Sequence, residues 1–181
     1  MVAAIRSILI PAGIREDRIV VEYTGAREDG TRPGDVVVRW WVDRHRQRHL
    51  FIDGSIATIR TQWVTTEYNR PGCMAHRREG AKLAADSRHP TTPLVDNGHR
   101  LVPFVFEEGG HLGEHGRSLL HELARSGVAS AHLKPPPSRT TEHRWQVRAY
   151  WVRRWQQELS ACLHFGHARI LHDSLDVLNV V

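Results

Sequence analysis

The sequence predicts a mixed α/β domain, with a central sheet flanked by helices. Three observations predict it. Apolar, β-branched runs recur at 35–42, 50–59 and 100–107, bounded by Gly, Pro or polar clusters. Leucines at 112–126 and a Trp/Val/Leu stripe at 141–165 repeat with a helical period. The chain has 181 residues, 40% of them hydrophobic and six of them Trp, which suffices for one core. The order reads helix, three strands, helix, strand, helix, helix, which is a layered arrangement. Residues 1–172 are expected as a single domain and 173–181 as a C-terminal tail.

Each element has its own reason. Ile5, Ile8 and Leu9 share one face of a short helix over 2–11, which Pro11 and Gly13 stop. Residues 18–24 alternate as a strand, and Gly25 to Gly34 is a polar loop. The strand at 35–42 turns through a basic hairpin tip, Arg44 to His49, into the strand at 50–59. Residues 60–72 fit neither period and break at Pro71-Gly72. Residues 73–86 have helical propensity, weakened by Gly80. His89 to Gly98 is a loop. In the strand at 100–107, Pro103 lacks a donor and belongs at an edge, or where the ladder needs none. Leu112, Leu119, Leu120 and Leu123 make one helix face over 112–126, and the prolines of 130–139 form a rigid connector. The last helix, over 141–165, buries Trp145, Val152, Trp155, Leu159 and Cys162, with Arg144, Arg148, Arg153 and Arg154 mostly outside that stripe.

Composition narrows the partners. The formal charge is +5, and Lys82 and Lys134 are the only lysines among many arginines. Arginine suits bidentate contact with phosphate, so the basic hairpin tip and the last helix are candidate nucleic-acid contacts. Two distant cysteines, Cys73 and Cys162, show no ligand spacing and read as small buried side chains in a reducing, intracellular setting, nucleus or cytoplasm. No apolar run reaches the length of a membrane span, and the first residues lack a signal-peptide core. His111 and His115 are four apart, but the stretch is not a zinc-protease signature; capping or solvated histidines are the expectation.

The chemistry centres on two acids. Asp35 and Asp53 each sit in or beside an apolar strand, where a bare carboxylate is costly. Alternation points Asp53 and Ser55 one way and Ile52, Gly54 and Ile56 the other. On adjacent strands the two carboxylates approach closely and repel unless a divalent metal, Mg²⁺ or Mn²⁺, lies between them. Lys82, on the following helix, then has a role orienting water or offsetting charge. A plainer reading stays open: Asp35 starts a strand, and Asp53 pairs with one of the many arginines. By parity Trp41 shares the face of Asp35 and lines any groove there.

These residues resemble the PD-(D/E)xK family of restriction-endonuclease-like nucleases. Pro33-Gly34-Asp35 matches its first motif with a glycine inserted, and Asp53-Gly54-Ser55 matches the second with serine in place of lysine. More closely, the chain resembles the endonuclease-like domain of eukaryotic non-LTR retrotransposon polyproteins, over roughly residues 1–172. That likeness is carried by Arg32-Pro33-Gly34-Asp35-Val36-Val37, Phe51-Ile52-Asp53-Gly54-Ser55, Gly80-Ala81-Lys82, Val102-Pro103-Phe104-Val105-Phe106-Glu107 and Gly110-His111-Leu112-Gly113. Leu159-Ser160-Ala161-Cys162-Leu163 and Gly166-His167-Ala168-Arg169 extend it. The resemblance implies a restriction-endonuclease-like core that hydrolyses phosphodiesters of double-stranded DNA. It implies Asp35, Asp53 and the Gly54 carbonyl as ligands of Mg²⁺ or Mn²⁺, Lys82 as the catalytic lysine and Glu22 as an auxiliary acid. Ser55 in the lysine position leaves a second outcome: the same fold binding nucleic acid without cleaving it.

Overall fold

A computed structural model describes residues 1–23, 32–43, 46–58, 70–89, 93–94, 98–135 and 143–178, without the side chains of 42–47 and 166–178. Its elements are α1 (Val2–Leu9), a short 3₁₀ turn (Glu16–Arg18), β1 (Ile19–Val21), β2 (Val36–Asp43), β3 (Arg46–Ala57), α2 (Cys73–Ser87), β4 (Arg100–Glu107), α3 (Glu114–Ala129) and α4 (Arg144–Leu178). The expected order is met. The strands form one sheet in the order β1-β2-β3-β4, with β1, β2 and β3 antiparallel and β4 parallel to β3. A parallel neighbour needs a long crossover, and α2 lies within it.

The sheet is covered on both faces. Val36, Val38, Leu50, Ile52, Val102, Phe104 and Phe106 pack against α1, α3 and α4. Val37, Phe51 and Leu101 face the other way, with Leu83 of α2 beside them, and Val105 and Ala57 meet Met74 and Ala75 of α2. Strand alternation thus sorts residues between a three-helix layer and a one-helix layer. Pro103 is accommodated because β4 is an edge strand of the described sheet.

Several local expectations change. Strand β3 begins at Arg46, so the basic stretch 44–49 is mostly strand rather than turn; Arg44 and His45 lie outside the described residues. So do residues 59–69, which hold most of the unassigned stretch 60–72, and 136–142, which hold the end of the proline connector and the expected first residues of the last helix. Helix α4 runs on to Leu178, through the expected tail boundary at 172. Its buried stripe is Val147, Val152, Trp155, Leu159 and Leu163, whereas Trp145 is 64% exposed and Cys162 is also exposed. Trp145 is in the first turn, before the helix meets the core. Cys73 is partly buried, and neither cysteine is in a disulfide.

A bulge in β2 reverses the expected face of Trp41. Val38 pairs with Leu50 and Trp41 with Arg48, so β2 carries one extra residue between them. Trp40 takes a left-handed φ of 52° there, and its N–H donates to His49 Nδ1 at 3.3 Å. The extra residue shifts the parity, and Trp41 joins Val36 and Val38 in the three-helix core instead of sharing a face with Asp35.

Buried carboxylates fix the helices. Glu107, at the end of β4, accepts from Gly72 N–H (2.9 Å), Met74 N–H (2.8 Å) and Ala75 N–H (3.2 Å), the open donors at the start of α2. Glu79 of α2 accepts from Glu114 N–H (3.1 Å) and His115 N–H (3.0 Å) at the start of α3. A Cβ at Gly113 would collide with Glu79 Oε1, so the glycine is needed for close approach. Burial pushes the Glu79 carboxyl up, while the positive side of His115 and the backbone donors pull it back. Asp86 accepts from Leu94 N–H at 3.3 Å. His115 therefore serves the cap through its backbone.

Two outcomes follow for stability. Glu107→Ala strips three donors of their acceptor and should cost about 2–4 kcal/mol in urea unfolding, with Glu107→Gln losing less because one oxygen remains. His49 and His99 stack at 4.9 Å; burial, then the Arg39 charge, lowers the His49 pKa, and burial, then His49, lowers that of His99. Their contribution is complete above the unfolded histidine value of about 6.5 and is lost as pH falls through the lower folded values. Melting temperature should drop between about pH 7 and pH 5, and His49→Gln/His99→Gln should flatten that drop.

Candidate metal-binding and catalytic site

Strand β3 sets the first acid. Asp53 follows Ile52, whose side chain enters the three-helix core, so Asp53 turns toward α2 with Phe51 and Ser55. Lys82 projects from α2 to the same place, and its Nζ donates to Asp53 Oδ2. The lysine side chain is 15% exposed and the aspartate 24%, so the pair is neither dry nor fully solvated. The Glu107 cap fixes the start of α2 and thereby the approach of Lys82. Among the described residues, the ion pair of Asp53 is with the lysine that the sequence singled out.

Asp35 occupies the adjoining strand end. Its N–H donates to Ile52 O at 3.0 Å, and its carbonyl accepts from Glu22 N–H at 3.0 Å, which ties β1, β2 and β3 together there. Val36 pairs with Ile52, so extending the register by one position sets Asp35 against Asp53. Its Oδ2 accepts from Gly54 N–H at 2.9 Å. A Cβ at Gly54 would stand 3.2 Å from that oxygen and 2.6 Å from Met1 Cγ. Gly54 thus admits the Asp35 carboxylate, a service beyond the carbonyl expected of it. Arg32 bridges Asp35 Oδ1 (3.4 Å) and Glu22 Oε1 (3.0 Å). Glu22 has a left-handed φ of 57°.

The sequence-predicted residues Asp35, Asp53, Gly54, Lys82 and Glu22 therefore converge on one end of the sheet. Arg32 joins them through Asp35, and its spacing of three from that residue is the sequence signal for the ion pair. Lys82 engages one oxygen of Asp53, and Oδ1 of Asp53 has no hydrogen bond to a described residue. Ser55 Oγ, next along the same face, is buried without a partner. Two carboxylates with an unmet hydroxyl form an all-oxygen donor set, and Mg²⁺ commonly binds through one or two carboxylates while keeping waters. The set fits such an ion on its donor chemistry. Among the described residues, no group of three or more His, Cys, Asp or Glu side chains is arranged to hold a metal.

No family model, curated protein or solved structure matches this chain. No helix among the described residues is long and apolar enough to cross a membrane.

The Asp53–Lys82 contact is open to a direct test. Lys82→Met leaves a part-buried carboxylate without its cation and should cost about 1–2 kcal/mol. Asp53→Asn/Lys82→Met should recover part of that loss, so a urea double-mutant cycle should return a coupling of about 1 kcal/mol.

Proposed function

We propose that this chain is a metal-dependent endonuclease that hydrolyses DNA phosphodiester bonds on a restriction-endonuclease-like core. The single observation that carries the reading is the meeting of Lys82 with Asp53, which stands opposite Asp35 when the β2–β3 register is extended. That meeting of residues remote in sequence supports the reading. The mixed four-stranded sheet, with helices on both faces, is compatible with that core.

Asp35 and Asp53 would hold Mg²⁺ or Mn²⁺, with the Gly54 carbonyl as a further candidate ligand. When bound, such an ion polarises a phosphate oxygen and acidifies water. The chain's own residues do the rest. The Lys82 ammonium, steadied by Asp53, donates to the attacking water or to a non-bridging phosphate oxygen, where negative charge grows in the transition state. The water oxygen bonds to phosphorus as one of its protons passes to solvent, the bond from phosphorus to the leaving deoxyribose oxygen breaks, and that oxygen takes a proton from solvent. The net charge of +5 favours a polyanionic substrate.

Ser55 favours a second reading, the same fold as a DNA-binding domain without cleavage, because a serine occupies the strand position where the family has its lysine. Plasmid nicking in Mg²⁺ or Mn²⁺ decides between them. For the nuclease, Asp35→Ala, Asp53→Ala and Lys82→Ala should each lower the nicking rate by about 100-fold or more. DNA affinity measured without metal should stay within about threefold for Lys82→Ala. Salt-dependent DNA binding with no nicking in either metal would establish the binding domain instead.

A further inference from the structure

A second concave surface lies away from the acidic pair. It is a cleft of about 830 Å³ between the β2 bulge, the start of β4 and α3. Small-molecule sites commonly span about 300–1,000 Å³. Arg18, Arg39, Arg100 and Arg125 line it, with Glu122 as the only acid among the described lining residues. Arg100 is neutralised by Glu122 at 2.8 Å, and Arg39 lies 5.3 Å over the Tyr23 ring. Arg18 and Arg125 have no ion pair with a described residue. The cleft therefore keeps two uncommitted guanidinium groups, a donor set matched to phosphate oxygens.

Its aromatic wall is unusual in two ways. Trp40 is 48% exposed, although it is the largest kind of apolar side chain, and the bulge holds it at a φ of 52°. Backbone strain of that kind gathers at ligand sites, and bulges re-aim side chains beside them. Trp41 is 7% exposed, and its indole N–H, buried at the wall, has no acceptor among the described residues. A buried donor without an acceptor points to one supplied from outside.

We propose that this cleft is a nucleotide-binding site, with phosphate against Arg18 and Arg125 and the base against the Trp40 ring. Guanidinium groups beside an open indole match the two halves of a nucleotide, a polyanionic head and a flat π face. A simple carboxylate would leave the ring unused. The site is distinct from the acidic one. Arg100 pairs in register with Leu50, three positions before Asp53, so the cleft lies further along the sheet from the acids. The inference therefore does not depend on cleavage at Asp53. A free nucleotide and one nucleotide of a DNA strand offer the same chemistry.

Titration with dAMP, with a fluorescein-labelled dT₁₂ strand and with inorganic phosphate tests the proposal, read by tryptophan fluorescence and anisotropy. Arg18→Ala and Arg125→Ala should each weaken dAMP binding by about tenfold. Trp40→Gly, which relaxes the left-handed backbone, should weaken dAMP by about tenfold and inorganic phosphate by less than about twofold. Trp40→Asn serves as the second variant at that position, and Asp53→Ala should bind as the parent does. Tighter binding of dT₁₂ than of dAMP assigns the cleft to a strand; equal or weaker binding assigns it to a free nucleotide. Failure of both nucleotide probes to bind the parent protein would overturn the proposal. So would unchanged affinity in the arginine and Trp40 variants when their circular dichroism matches the parent, or equal affinity for dAMP and inorganic phosphate.

Discussion

The geometry of the molecule depends on two buried glutamates that sit at helix N-termini belonging to other elements. Glu107 closes β4 and takes three N–H groups at the start of α2; Glu79, on α2, takes two at the start of α3. Leu119, Leu120 and Leu123 of α3 pack back into the same core as Val102 and Phe104 of β4. The chain of contacts closes on itself: strand to helix, helix to helix, helix to strand. A carboxylate at a helix N-terminus gains from unmet donors and from the helix dipole together, which offsets the cost of burying charge. Rotation of α2 about its axis would break this set, and that rotation is what would carry Lys82 away from Asp53.

The candidate site shows how side chains from separate strands acquire a common chemistry. Asp53 would be expensive inside an apolar strand if it stood alone, and Asp35 likewise at its strand end. Each instead has a partner chosen by the fold: an ammonium for Asp53, a backbone N–H and Arg32 for Asp35. Both carboxylates stay partly accessible, the Asp35 side chain 23% exposed and the Asp53 side chain 24%.

Much of this was legible in the chain. Alternation around Asp53 assigns it the face opposite Ile52, because a strand period of two leaves no third choice. The strand at 100–107 is legible because apolar residues fill both faces of a strand paired in parallel. Where the pattern misled, a particular interaction intervened. One inserted residue in β2 moved Trp41 across the sheet, and no propensity marks such a bulge. Trp145 fits the apolar stripe of α4 but precedes the point where the helix reaches the core. Glu79 looks like a solvated helix residue until α3 is placed over it.

Sequence alone determined the order of elements, the two-faced character of the sheet and the residue types available for metal and phosphate chemistry, since these follow from local period and composition. Tertiary structure alone decided that Lys82 meets Asp53, that Gly54 makes room for the Asp35 carboxylate and that an arginine cleft opens beside Trp40. Each of those is a contact between segments remote in the chain. Its existence is set by register, helix docking and a single bulge, and none of these has a signature within one stretch of residues.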